Sequence, residues 1–269
     1  MRQGGENVPD VETEPPNGWR AVAWELAIVT LGVVIALAAQ QVVEQRSWRA
    51  KARSATTPIR TELGDHYAYA VEWRMVHPCM IAQIERLQLR LANSGPTLDP
   101  APVYRESALG AFVLRLPRKP FPDSAWHTAV GDGVAAHFKP ELRKGLGDHY
   151  DQAATLLAMT DLNNRDNQRL FTLSRQMMLD PPTKFGMMQA LDELRGRIDT
   201  MDFNSGQLLG QVARLGMKPD SSTVGYVLDR SGTLQMCVRE RLPLRSLADA
   251  SQPIDYVYSP KHTPASAKP

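Results

Sequence analysis

The chain has 269 residues, and its 31 Lys and Arg stand against 29 Asp and Glu, for a formal net charge of +2. Acids such as Glu193, Asp199 and Glu240 are interleaved among the bases, which argues against a nucleic-acid partner. The two cysteines are not in Cys-x-x-Cys spacing, which argues against dithiol redox catalysis.

Residues 1–20 carry Gly4-Gly5, Pro9, Pro15-Pro16 and several acids with almost nothing apolar, the composition of a disordered leader. Residues 21–43 follow as an apolar run with no charge between Leu26 and Val43. At about 1.5 Å per residue, a helix of this length reaches across a hydrocarbon core of roughly 30 Å. A cleaved signal peptide would place bases before a shorter apolar stretch and end on small residues. Here the leader is acidic and Gln40-Gln41-Val42-Val43-Glu44 offers no such site, so the expectation is an uncleaved transmembrane helix. Trp24 and Trp48 bracket it, where amphipathic rings favour the headgroup layer. Glu25, Gly32, Ala36, Ala39 and Gln40 collect on one stripe of the helix. Small and polar residues in a membrane suit association with a second copy. The alternative is that Glu25 and Gln40 simply snorkel to the two interfaces.

The run Glu25-Leu26-Ala27-Ile28-Val29-Thr30-Leu31-Gly32-Val33-Val34-Ile35-Ala36-Leu37-Ala38-Ala39-Gln40 resembles the opening of a group of uncharacterised bacterial single-pass membrane proteins. In that group an acidic residue leads a Val/Ile/Leu run with one Gly, then Ala-Leu and a Gln or Asn near a Trp. Trp48 stands near that last position, and Ser124-Ala125-Trp126-His127-Thr128-Ala129 gives a looser echo. The resemblance implies an inner-membrane anchor, an N-terminus inside and an exported domain, and it implies no activity.

Charge points the other way. Arg2 and Arg20 precede the span, while Arg46, Arg49, Lys51, Arg53 and Arg60 follow it, which the positive-inside rule reads as a cytoplasmic domain. Cys79 and Cys237 are compatible with export, since a disulfide between them would persist only in an oxidising compartment. Two unrelated buried thiols are the other reading. A periplasmic domain is favoured over a cytoplasmic one.

Residues 44–57 form a basic juxtamembrane segment suited to anionic headgroups, and residues 58–246 form the soluble domain. Ile59, Leu63, Tyr67, Ala70, Val71 and Arg74 recur at helical steps, and Pro78 should end or kink that helix before Met80, Ile84, Leu87 and Leu91 continue it. Asn93-Ser94-Gly95-Pro96 stops the pattern, and a Pro-rich connection with a short helix at Tyr104–Leu114 is expected next. Asp123 or Ser124 can cap a short helix through Trp126, Val130 and Val134 to Phe138. Pro140-Glu141 opens a long helix carried onward through Leu173 and Met177, and Asp180-Pro181-Pro182-Thr183 separates it from another ending at Gly216. The methionines on these faces read as core filling, with a Met-lined groove the lesser reading. Val224–Leu228 and Thr233–Val238 flank Asp229-Arg230-Ser231-Gly232 like a small hairpin, a last short helix being the alternative. Residues 247–269 are expected to be a flexible tail. The fold class is all-α: a transmembrane helix, then an antiparallel helical bundle with a small C-terminal β-hairpin.

Candidate chemistry is sparse. Leu63-Gly64-Asp65-His66-Tyr67 recurs as Leu146-Gly147-Asp148-His149-Tyr150, from duplication or coincidence. Two Asp-His pairs, Asp65-His66 and Asp148-His149, could meet in a bundle and hold a metal, but neither helix has Glu-x-x-His or His-x-x-x-His spacing. There is no G-x-S-x-G elbow, and Gly131-Asp132-Gly133 lacks the lysine of a phosphate loop. No cofactor is expected. The sequence therefore points to a binding or scaffolding protein of the cell envelope, with the bilayer, itself and other envelope proteins as partners. A membrane-anchored sensory or ligand-binding module is the alternative, and a metal-dependent enzyme around the histidines comes third.

Overall fold

A computed structural model describes residues 18–106, 110–219 and 221–254, with the side chain of Glu106 outside the description. The expected disorder of residues 1–17 and of 255–269 lies outside the described residues. The protein is all-α, with two very short antiparallel pairs of strands among the described residues. It divides into two units, residues 1–51 and 52–269.

The first helix, α1, runs Gly18–Asn93 and passes through both units. In the first unit it contains a segment long and apolar enough to cross a membrane, with every apolar side chain of that segment exposed. Lys51 lies over the Trp48 ring at 4.5 Å, and the Trp48 indole donates to Glu44 at 3.4 Å.

In the second unit α1 is the central element. Of the two outcomes expected at Pro78, a stop does not occur: both Pro58 and Pro78 lie inside the one helix. A proline there costs about 3 kcal/mol through a lost hydrogen bond and a ring clash. Burial on both sides of it outweighs that, since Ile59, Leu63, Tyr67, Val71, Trp73, Val76, Met80, Ile84, Leu87 and Leu91 all point into the core.

Strand β1 (Thr97–Leu98) follows, and then β2 (Tyr104–Glu106) pairs with β3 (Gly110–Phe112) where a short helix was expected. Tyr104 and Phe112 pair directly across this hairpin, and Gly110 takes φ +92°, which favours glycine. The expected short helix is present as α2 (Ser124–Gly131) followed by a 3-10 turn at Val134–His137, and Asp123 stands at its N-cap position without the expected side-chain capping bond. Helix α3 (Pro140–Leu170) begins at the expected proline but stops before Leu173. Beyond it a 3-10 turn at Phe171–Ser174 leads to β4 (Met177–Met178), which pairs with β1. Helix α4 (Pro181–Arg214) is capped by Asp180, whose carboxylate accepts from the Thr183 N–H at 2.8 Å.

Helix α4 runs antiparallel to α1, as the pairs His77–Asp199, Glu85–Arg195 and Gln88–Asp192 define. It is also antiparallel to α3, through Gln152–Gln207 and Asn163–Arg197. Helices α1 and α3 themselves run in the same sense. That pairing needs the long crossover of residues 94–139 rather than a short turn.

The expected C-terminal hairpin is instead two helices, α5 (Ser221–Asp229) and α6 (Gly232–Arg239). Ser231 acts as an N-cap, its hydroxyl accepting from the Leu234 N–H at 3.0 Å, so the Ser-Gly pair starts a helix rather than turning a hairpin. Thr233, Met236 and Cys237 then fall inward at helical spacing. Part of the expected tail is ordered too: α7 (Leu247–Ala250) is capped by Ser246, and the Ile254 N–H donates to the Gly206 carbonyl at 2.9 Å. Gly206 is required by this approach, because a Cβ there would collide with the Arg74 guanidinium and the Ile254 side chain.

Candidate functional site

The two identical pentapeptides meet. Helical phase turns Leu63, His66 and Tyr67 of α1 and Leu146, His149 and Tyr150 of α3 inward, and both histidines are fully buried. Their rings stack with centroids 5.2 Å apart, and His66 Nδ1 lies 2.9 Å from His149 Nε2. His66 Nε2 lies 2.7 Å from the Pro122 carbonyl oxygen. A carbonyl only accepts, so His66 Nε2 carries hydrogen, and in the neutral pair His149 Nε2 donates to His66 Nδ1. Burial pulls His66 down to about 4, against the raising effects of the Pro122 contact and of Glu62 and Asp123. Burial, and then the neighbouring His66, pulls His149 down to about 3. Both rings are neutral at ordinary pH.

Glu62, one turn before His66, accepts from the Ser124 hydroxyl at 2.9 Å, the Ala125 N–H at 2.8 Å and the Tyr150 hydroxyl at 2.7 Å. Three donors satisfy a buried carboxylate that would otherwise be costly. Burial, and then Glu62, pushes the Tyr150 phenol far above its usual range. Trp126 stacks on Tyr150 at 5.6 Å, and the Phe121 ring closes over His66 at 5.5 Å. Phe121 sits between two prolines at φ +44°, a backbone region disfavoured for a bulky residue.

The hub joins α1, α2, α3 and the 120–122 segment, and its chemistry is turned inward. Asp65 and Asp148 do not enter it: Asp65 is half-buried, its carboxyl pushed up by burial and then by Glu62, and Asp148 is exposed. The expected juxtaposition of two Asp-His pairs thus yields a His-His contact without its acids. Among the described residues no group of three or more His, Cys, Asp or Glu is placed to hold a metal.

Cys79 of α1 and Cys237 of α6 are joined by a disulfide with a Cα–Cα distance of 6.0 Å, across a sequence separation of 158. Glu25, Gly32, Ala36, Ala39 and Gln40 are all exposed, and a Cβ on Gly32 would meet open space.

A second feature is open to solvent. A cleft of about 610 Å³ lies along the last turns of α1 and is lined there by Gln83, Arg86, Leu87, Leu89, Arg90 and Asn93, with Thr97, Asp99, Pro102, Tyr104, Val113 and Glu240 opposite. Two of its lining residues are held by hydrogen bonds within the chain. The Gln83 side chain accepts from the Arg115 N–H at 2.7 Å and donates to the Arg115 carbonyl at 3.3 Å, and Arg90 donates to the carbonyls of Asp99 and Pro100. Burial and Glu240 push the Tyr104 phenol up while Arg86 and Arg239 oppose them, which places these charges around one hydroxyl.

Sequence reasoning missed Glu62, Ser124 and Tyr150 as members of the hub, although the repeated pentapeptide held one signal and the Ser124–Ala129 echo another. It missed the cleft altogether, because only the crossover and α6 bring its far wall to α1. No family model matches the chain, and comparison with curated proteins and with solved structures finds no match.

Proposed function

We propose that this is a single-pass protein of the bacterial inner membrane that holds its helical domain on the oxidising, periplasmic side and acts there by binding. The observation that carries this reading is the Cys79–Cys237 disulfide, because such a bond persists outside a reducing cytoplasm. The apolar segment of α1 supplies the anchor, and the juxtamembrane bases supply headgroup contacts. The inward-facing hub supports binding over catalysis, since Glu62, Tyr150 and His66 are engaged by neighbouring side chains and by backbone, away from solvent.

Thiol trapping on isolated membranes, combined with a C-terminal alkaline phosphatase fusion, tests the topology. Cysteines alkylated only after reduction and an active phosphatase are the expected results. Cysteines alkylated without reductant, with an inactive phosphatase, would move the domain to the cytoplasm. Partner choice begins with a second copy, through the stripe of Glu25, Gly32, Ala36, Ala39 and Gln40. Gly32→Ile is expected to lower the yield of membrane crosslinked dimer, and an unchanged yield would remove the stripe from the account.

A membrane-anchored ligand-binding module is a second reading, favoured specifically by the cleft. Its volume falls in the range of small-molecule sites, and Gln83 and Arg90 of its lining are held by hydrogen bonds within the chain.

A further inference from the structure

We propose that the cleft at the end of α1 binds a small amphipathic carboxylate, with the acid held by Arg86 and Arg90 and the apolar body lying on Leu87, Leu89 and Pro102. The inference rests on the ligand-binding reading above and names its ligand class.

Charge is the first argument. Arg86 and Arg90 are four residues apart on α1 and both line the cleft. Among the described residues Arg86 makes no hydrogen bond or ion pair, and Arg90 spends only one nitrogen, on two backbone carbonyls. Of the two acids lining the cleft, Glu240 is engaged by Arg239 at 3.3 Å, leaving Asp99 alone against two arginines. One positive charge is left over, which complements a monoanion and disfavours a dianion. A guanidinium fork matches the two oxygens of a carboxylate.

Shape is the second. Leu89 and Pro102 are exposed beside those arginines, and Leu87 forms part of the floor, so an apolar body gains contact where the head gains charge. Preorganisation is the third. Glu240 directly follows α6, which the disulfide ties to Cys79, one turn before Gln83 on α1. The two walls are therefore fastened to one another, which lowers the ordering cost of binding.

Equilibrium dialysis of the full-length chain in phosphatidylcholine nanodiscs tests this, with empty discs subtracted. Three probes share one body and differ in head: 4-phenylbutyrate, 4-phenylbutanol and 4-phenylbutylamine. The carboxylate is expected to be retained at least about tenfold better than the other two, a difference of about 1.4 kcal/mol. Arg86→Glu is expected to abolish that preference, Arg86→Lys to keep part of it, and Leu89→Asp to weaken retention, all with wild-type unfolding midpoints. Equal retention of the three probes, or a preference that survives Arg86→Glu, would overturn the proposal. Thiol trapping on the same preparation separates the two readings. Bonded cysteines without carboxylate preference overturn the ligand class alone, whereas free cysteines overturn the envelope reading whatever the cleft retains.

Discussion

The hub around His66 and the cleft around Arg86 stand on the same helix, less than six turns apart, and use polar side chains to opposite ends. In the hub, Glu62, Ser124, Tyr150, His66 and His149 bond to one another and to backbone, inside the fold. In the cleft, Arg86 and Asp99 face solvent, and among the described residues their side chains have no such partners. A buried polar group must be satisfied internally, so it is committed to structure; an exposed one is free for a ligand. Candidate chemistry in this protein is therefore better judged by what each group bonds to than by residue type, and altering each region in turn should separate the two by their loss of stability.

The largest expected effect falls on the disulfide that underlies the cleft. Cys79→Ser is expected to lower domain stability by about 2–5 kcal/mol, because the bond closes a long loop in the unfolded chain. Denaturant unfolding in nanodiscs, with and without reductant, measures it; a wild-type midpoint indifferent to reductant would remove the bond's role. Next comes the hub. Glu62→Ala leaves the Ser124 hydroxyl, the Ala125 N–H and the Tyr150 hydroxyl without their acceptor, at an expected cost of about 2–4 kcal/mol. Tyr150→Phe removes one donor and should cost about 1 kcal/mol. A Glu62→Ala variant as stable as wild type would show that the hub is not the structural element its bonding indicates.

Acid sharpens the same contrast. His66 and His149 are held at about 4 and about 3 when folded, below the ordinary 6.5. Between pH 6.5 and about 4 the unfolded chain therefore binds more protons than the folded one, so stability is present above that window and is lost as pH falls through it. One such histidine amounts to roughly 3 kcal/mol over the whole window. Glu72 and Asp65 are shifted upward by burial and act in the opposite sense, so the informative quantity is a difference. His149→Gln should reduce the slope of stability against pH by about one proton relative to wild type. Equal slopes in the two chains would mean that the pair is not held neutral by burial.

Much of the helical architecture was legible because periodicity reports burial. Ile59, Leu63, Tyr67, Val71, Met80, Ile84 and Leu87 are inward where their spacing put them, and Pro140 and Gly216 bound the helices they were expected to bound. Local signals failed where tertiary packing or a cap decided the outcome. Pro78 reads as a stop or a kink, and α1 runs on through it because both of its flanks are buried. Ser231-Gly232 reads as a turn, yet the serine caps α6. Of the candidate site, His66 and His149 were visible as a repeated pentapeptide, while Glu62 and Ser124 were not, since the bond between them spans 62 residues. The cleft left no trace in the sequence, because Arg86, Tyr104 and Glu240 share no local pattern and meet only through the crossover and the disulfide.

The smallest expected effect is the one that completes the comparison. Arg86→Ala and Leu89→Ala should each change stability by no more than about 0.5 kcal/mol, since neither side chain is buried and Arg86 holds no described partner. A surface residue with a merely structural role would show its loss in the unfolding midpoint, whereas a residue kept for a ligand shows it in binding alone. If Arg86→Ala instead cost more than about 1.5 kcal/mol, the guanidinium would be a support of the α1 terminus, as Gln83 and Arg90 are. The cleft would then resemble the hub, with its polar groups consumed by the fold and no free charge left to hold a carboxylate.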